Sequence, residues 1–212
     1  MDLVVYIFAA VVAYLLGSVP TGFLVGKARG IDIRQVGSGN IGATNVMRAL
    51  GTKLGVIVLI ADGLKGYAAC AWMTDLACHF FGSPNTHVEL VRIVAGLAAV
   101  IGHNYTCWLK FKGGKGIATS AGVLAALVPM ALAIILSLWI VLFLATRYVS
   151  LASIAASFTL PFATWFTGGT ILMTAVTGAM GALAIYKHKS NIQRLLQGTE
   201  SRITWRKREA TQ

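Results

Sequence analysis

Long apolar runs alternate with short polar clusters along the whole chain. Leu3 to Gly26 is the first run, interrupted late by Gly17, Ser18 and Pro20. A polar stretch, Lys27 to Lys53, follows with five basic residues and one acid. Leu54 to Cys78 is the second apolar stretch, carrying Asp62 and Lys65 inside it, and His79 to Leu90 is a loop without Lys or Arg. Val91 to Leu109 is the third run, and Lys110 to Gly116 holds three lysines and three glycines. Ile117 to Thr146 is 30 residues without a charge. One helix of that length would rise about 45 Å, against a hydrocarbon core of about 30 Å. Pro129 sits near its middle, so two short spans joined at a tight turn fit better. Leu151 to Trp165 is the next run, closed by Thr167, Gly168, Gly169 and Thr170, and Ile171 to Tyr186 is the last. The pattern predicts an all-α integral membrane protein with seven transmembrane helices, several of them short.

Charge fixes the expected orientation. With seven spans, one face collects Lys27 to Lys53, Lys110 to Gly116, Arg147 and the tail, sixteen of the 18 basic residues. The other face has only Arg92, near its boundary. The positive-inside rule then puts the N-terminus outside and the tail in the cytoplasm. A six-span count would move the tail outside with seven basic residues. Composition agrees: 57% of the 212 residues are apolar and 12% are charged, about half the usual charged share, and mean hydropathy is +0.74.

The net charge of +11 raises nucleic acid as a partner. Interspersion of the charges between apolar runs argues against it. Cys70, Cys78 and Cys107 have no metal-type spacing and read as small buried hydrophobes. The first run lacks a basic leader and an Ala-x-Ala cleavage site, so it reads as a retained span. No internal repeat stands out. The chain is expected to be one domain, 1–212, with 187–212 a basic cytoplasmic tail that contributes to the site. Ile192, Leu195 and Leu196 share a helical face, which predicts a short interfacial helix there.

The candidate chemistry centres on Val36 to Arg48. Gly37, Gly39 and Gly42 permit tight turns and close approach to a ligand. Ser38, Asn40, Thr44 and Asn45 supply hydroxyl and amide donors, and Arg48 closes the stretch with a cation. Donors and one cation with no carboxylate suit an anion, most simply a phosphate. Gly113, Gly114, Lys115 and Gly116 form a second turn, with exposed backbone N–H groups and a lysine point charge. On the same expected face, His188 and Asn191 open the tail three residues apart. Asp62 and Lys65 read first as a structural ion pair, because charges inside spans pair up. Holding the Gly37 loop is a second reading. His103 and Asn104 read as supporting hydrogen-bonding residues.

Other chemistries fail on context. Gly37-x-Gly39-x-x-Gly42 matches a dinucleotide fingerprint by letter, but its flanks are spans rather than a βαβ unit. The Lys115 turn lacks the spacing and the Ser or Thr of a Walker A loop. No His is followed five positions later by Asp, no CDP-alcohol phosphotransferase motif occurs, and there is no Gly-x-Ser-x-Gly elbow. Cytoplasmic carboxylates Asp32, Glu200 and Glu209 are widely spaced, so no metal site is expected. A non-enzyme reading, an organophosphate transporter or channel, would also place basic loops on a bundle. Transporters usually carry related halves with broken helices near mid-membrane, and none is visible here.

Four motifs occur in order: Gly37 to Asn45, Asp62-x-x-Lys65-Gly66, Gly113 to Gly116, and His188-Lys-x-Asn191-Ile-x-Arg194 followed by Gly198-Thr-Glu200. Together they closely resemble the bacterial acyl-phosphate-dependent glycerol-3-phosphate 1-O-acyltransferases, small seven-span inner-membrane enzymes. The resemblance implies acyl transfer from acyl phosphate to the sn-1 hydroxyl of glycerol 3-phosphate, giving lysophosphatidic acid and phosphate. It implies the first acylation of phospholipid synthesis, at the cytoplasmic face of the cell membrane. No cofactor, metal, covalent acyl-enzyme or obligate protein partner is implied. By the same resemblance Ser38, Arg48, Lys115, His188 and Asn191 hold glycerol 3-phosphate. Gly37, Gly39, Asn40, Gly42, Thr44, Asn45, Gly113, Gly114 and Gly116 bind the acyl-phosphate head, and Glu200 steadies the tail. The proton acceptor stays open between a substrate phosphate oxygen and His188.

Overall fold

The structure is a computed structural model that describes residues 2–203. The tail residues Arg206, Lys207, Arg208 and Glu209 lie outside the described residues. Among the described residues there are eleven α-helices. They are α1 (Asp2–Ser18), α2 (Thr21–Ala28), α3 (Ala43–Leu50), α4 (Thr52–Cys70), α5 (Trp72–Phe81), α6 (Val88–Asn104), α7 (Ile117–Leu127), α8 (Pro129–Thr146), α9 (Val149–Phe166), α10 (Ile171–Lys187) and α11 (Lys189–Leu196). Short 3-10 turns occupy Ile33–Gln35 and Cys107–Leu109.

Among the described residues five stretches are long and apolar enough to cross a bilayer: Leu3–Ala28, Thr52–Phe81, Val88–Leu109, Pro129–Thr146 and Val149–Phe166. Two more apolar helices, Ile117–Leu127 and Ile171–Lys187, are shorter. At 1.5 Å per residue α7 rises only about 16 Å. The uncharged 30-residue run does break at Pro129. Proline is preformed for the first position of a helix and disfavours helix in the residue before it. Val128 is accordingly non-helical, with φ −143° and ψ 65°.

Several boundaries differ from the sequence reading, and the loop expected over His79 to Leu90 is confined to residues 82–87. The run Leu54 to Cys78 is two helices, because α4 stops at Cys70 and α5 continues to Phe81. The third span stops at Asn104, and Cys107–Leu109 is a 3-10 turn capped by the Thr106 hydroxyl. Half of the polar stretch Val36 to Arg48 is helical, since α3 starts at Ala43 with Gly42 as its N-cap.

The chain divides into two compact units, one up to Leu132 and one from Ala133. In the first, Val5, Ala9 and Ala13 of α1 pack with Val91, Ala95 and Ala99 of α6 in one buried cluster. Ala9, Ala13 and Gly17 are four apart, a line of small residues that lets backbones touch. A Cβ on Gly17 would collide with the Ala99 carbonyl, and one on Gly102 with the Tyr14 carbonyl. In lipid, close packing of this kind replaces the hydrophobic drive that water provides. α4 and α7 meet the same way. A Cβ on Gly66 would strike the Thr119 carbonyl, and one on Gly122 the Gly63 carbonyl. Ser18 at the end of α1 donates to the Gly102 carbonyl at 3.3 Å, and Thr106 donates back to the Ser18 carbonyl at 2.6 Å. The C-terminal ends of α1 and α6 therefore lie together.

The second unit holds most of α8 with α9, α10 and α11. Only Ala131 and Ile135 of α8 are buried, as suits a lipid-facing helix. The Trp139 indole N–H donates to the Ser153 hydroxyl of α9 at 3.0 Å. α9 contains Pro161, and a Cβ on Gly181 of α10 would collide with the Ser157 carbonyl one turn earlier. That carbonyl has lost its ladder donor to the proline.

Candidate active site

Each half of Val36 to Arg48 is fixed by one asparagine. Gly37 and Gly39 are left-handed, with φ of 59° and 69°, which only glycine adopts cheaply. That double turn wraps the loop around Asn45, which is 2% exposed. Asn45 accepts from the Ser38 amide at 2.9 Å and donates to the Ile33 and Val36 carbonyls at 3.1 and 2.9 Å. Asn40 accepts from the Gly42 amide at 2.8 Å and sets the start of α3. The Ala43 and Thr44 amides precede the helix's own hydrogen-bond ladder, so the loop ends in a donor cluster. Ser38 and Arg48 are exposed and Thr44 is half-buried. Upstream, the Asp32 carboxylate accepts from the Arg34 guanidinium at 2.6 Å and the Arg34 amide at 3.0 Å. Those bonds lower the Asp32 pKa to about 2. Asp32, the carboxylate nearest this segment in the sequence, is thus engaged with Arg34.

The second turn belongs to the same unit. Gly113 and Gly114 donate to the Asn104 and His103 carbonyls at 3.2 and 3.0 Å, so these two amides are spent inside the protein and are not the exposed donors that the sequence reading expects. Gly116, with φ 79°, is the N-cap of α7, and a Cβ there would lie 2.6 Å from the Asn104 Oδ1. Lys115 is half-buried between two buried glycines. Ile41 and Val46 of the first segment share a buried cluster with Ile33, Val58 and Leu109. Leu109 lies just ahead of the lysine turn, so the two donor-rich segments occupy one rim.

Beneath that rim sits the expected ion pair. Asp62 and Lys65 meet at 2.9 Å, both buried. Lys65 also donates to the Val19 carbonyl at 2.7 Å, and Thr21 donates to Asp62 at 3.0 Å. His103 Nδ1 lies 3.7 Å from the same carboxylate. Thr21 was not a candidate in the sequence. Its one signal is a hydroxyl directly after the proline that breaks the first run.

In the second unit His188 and Asn191 are buried at the α10–α11 junction. His188 Nδ1 lies 2.8 Å from the Ala184 carbonyl. A carbonyl can only accept, so Nδ1 carries the hydrogen and Nε2 is the lone-pair nitrogen of the neutral ring. Glu200 gathers three donors: Asn191 Nδ2 at 2.7 Å, Ser150 Oγ at 2.8 Å and Arg194 Nε at 2.6 Å. Burial raises its pKa, but those bonds outweigh burial and leave the carboxyl below its ordinary value. The segment is further tied by Ile203 N to the Arg147 carbonyl at 3.0 Å, and Arg202 lies 4.8 Å from the Tyr148 ring. Ser150 carried no sequence signal, being one hydroxyl at the start of an apolar helix. Among the described residues no three His, Cys, Asp or Glu side chains gather into a metal-sized cluster.

Known proteins resolve what these features make. The sequence profile described as glycerol-3-phosphate acyltransferase matches residues 7–198. A glycerol-3-phosphate acyltransferase of Fusobacterium nucleatum is 43% identical over 91% of this chain and 95% of its own. That of Desulforudis audaxviator is 47% identical over 92% and 94%. A crystal structure of PlsY (YgiH), an integral membrane glycerol 3-phosphate acyltransferase in its glycerol 3-phosphate form, superposes with TM-score 0.83. It is 42% identical and covers 94% of this chain and 96% of its own. The lysophosphatidic acid form gives a TM-score of 0.80 at 41% identity, over 94% and 95%. Fold and donor-rich rim thus define a multi-pass helical membrane enzyme of the acyltransferase class. The chain belongs to the glycerol-3-phosphate acyltransferase family.

Proposed function

We propose that the chain moves an acyl group from acyl phosphate to the sn-1 hydroxyl of glycerol 3-phosphate, releasing lysophosphatidic acid and phosphate. The observation that carries this reading is the shared rim of two glycine-rich segments, one bearing Arg48 and the other Lys115, neither of which contains a carboxylate. Both substrates are anions with phosphate heads, and the acyl chain can lie in lipid beside the helices. Ser38, Arg48, Lys115, His188 and Asn191 hold glycerol 3-phosphate. Gly37, Gly39, Asn40, Gly42, Thr44, Gly113, Gly114 and Gly116 receive the acyl-phosphate head. Asn45 serves it from within the loop, and Glu200 steadies Asn191.

The hydroxyl oxygen bonds to the acyl carbon, and the bond from that carbon to the phosphate oxygen breaks. Positioning and donors aimed at the developing oxyanion drive this transfer, with no covalent acyl-enzyme. The hydroxyl proton goes to a substrate phosphate oxygen, and His188 Nε2 is the alternative acceptor. Seven spans, an outside N-terminus and a cytoplasmic site complete the reading of one domain in a bacterial inner membrane. The shared end of α1 and α6 supports it, because the basic segments that follow each then emerge on one face.

The test is phosphate release from synthetic acyl phosphate by detergent-solubilised protein, with and without glycerol 3-phosphate, and lysophosphatidic acid identified by mass. A transporter or channel would release none above background. Lys115→Ala should lower kcat/KM by about 10²–10³, the size of losing one charge-stabilising donor, with the protein still folded. A His188→Gln variant that binds glycerol 3-phosphate normally but shows no turnover at any pH would make His188 the base.

A further inference from the structure

The buried Asp62 carboxylate lies beside two residues, Thr21 and His103, that border the two glycine-rich segments. On one side it accepts from Thr21 Oγ1 at 3.0 Å. The next residue, Gly22, is pressed so closely on the Ile41 carbonyl that a Cβ there would collide with it. Ile41 lies inside the first segment, between Asn40 and Gly42. On the other side Asp62 lies 3.7 Å from His103 Nδ1. The His103 ring abuts Gly114, where a Cβ would collide with Nε2, and the His103 carbonyl accepts from the Gly114 amide at 3.0 Å. Lys65, at 2.9 Å, compensates the carboxylate and adds a bond to Val19 at 2.7 Å. Glycine at both contacts leaves no side chain to absorb a shift, so movement of Thr21 or His103 passes to the backbone of each loop.

We infer that Asp62 is a positioning residue, which through Thr21 and His103 sets the spacing between the Gly37–Gly42 loop and the Gly113–Gly116 turn. The inference rests on the acyl-transfer reading, because the spacing matters when each segment holds a phosphate and the two substrates must meet. Its signature is a loss in the transfer step rather than in binding of either substrate. A shift of about 1 Å between reacting partners can cost a hundredfold in rate.

The experiment uses full-length protein in detergent. Thr21→Val removes the hydroxyl at nearly constant volume, Thr21→Ser keeps it, and His103→Leu removes the ring that stands between Asp62 and Gly114. Thr21→Val and His103→Leu should each lower kcat at least tenfold, with KM for both substrates within threefold of wild type. Thr21→Ser should stay within threefold in kcat. By hydrogen exchange, Thr21→Val should raise exchange in residues 36–45, and His103→Leu in residues 110–116. Turnover within twofold of wild type for Thr21→Val, equal losses in Val and Ser, or losses confined to KM would overturn the inference. Unchanged exchange in both loops would also overturn it, without reference to catalysis. A wild-type protein that releases no phosphate would sink the reaction reading instead, and the exchange data would still decide the role of Asp62.

Discussion

Glu200→Gln should open the segment that follows α11. Glu200 is 8% exposed and accepts three side-chain hydrogen bonds, at 2.6, 2.7 and 2.8 Å. A hydrogen bond to a charged group contributes roughly 1.5–3 kcal/mol, a neutral one about 0.5–1.5. Glutamine converts three bonds of the first kind to at best two of the second, because one of its terminal atoms becomes a donor facing donors. Arg194 is over a third exposed, so its share is screened and discounted. The difference comes to about 3 kcal/mol, or roughly a hundredfold in an opening equilibrium. The amides of Thr199 and Glu200, bonded to the Arg194 carbonyl at 2.8 and 3.2 Å, and Ile203, bonded to Arg147 at 3.0 Å, report that opening. Hydrogen exchange at pH 7 should show their protection falling about a hundredfold, with α8 and α9 unchanged. Protection within threefold of wild type would mean that the carboxylate does not hold this segment, and the reasoning would be wrong.

Other expectations follow from the same contacts. Gly17→Val should block the α1–α6 approach and abolish the monodisperse peak in size exclusion, whereas Val11→Leu, half-exposed on the same helix, should leave it unchanged. Asn45→Asp should replace two donated bonds by repulsion from the Ile33 and Val36 carbonyls. It should cost about 2–4 kcal/mol locally and abolish turnover, read as exchange in residues 33–45. Asp62→Asn should destabilise more than the double variant Asp62→Asn with Lys65→Met, since a lone buried ammonium costs more than an uncharged pair; the melting temperatures in detergent would check this order. Glu200 has a folded pKa below its ordinary value of 4.5. Its contribution is complete above about pH 4.5 and is lost as pH falls through the folded value. Melting temperature should therefore drop below that pH in wild type, and less steeply in Glu200→Gln.

Apolar runs betray spans because a bilayer demands length and composition together, and neither depends on a partner. Pro129 was readable as a break because its ring acts on its own neighbours. The break after Cys70 was not: Leu54 to Cys78 has no proline, its glycines all precede Cys70, and Asp75, the one charge beyond it, sits inside α5 rather than at the break. α3 was hidden for another reason. Eight residues directly after a glycine-rich polar run read as loop until Val46 finds the Ile33–Ile41–Leu109 cluster. For the site, donor types and glycines were legible. Their division of labour was not, because the sequence cannot say whether an asparagine points outward or inward. Asn45 turned inward to hold its loop, while Ser38 stayed at the surface.

The glycine crossings of α1 with α6 and α4 with α7 have a bearing on how the protein should be surveyed. Scanning mutagenesis by truncation deletes atoms and watches what fails, and it passes over Gly17, Gly66, Gly102 and Gly122, which have nothing to delete. The positions that tolerate least change here are revealed only by enlargement. A library that inserts methyl groups, rather than one that removes side chains, would draw the outline of this helix bundle.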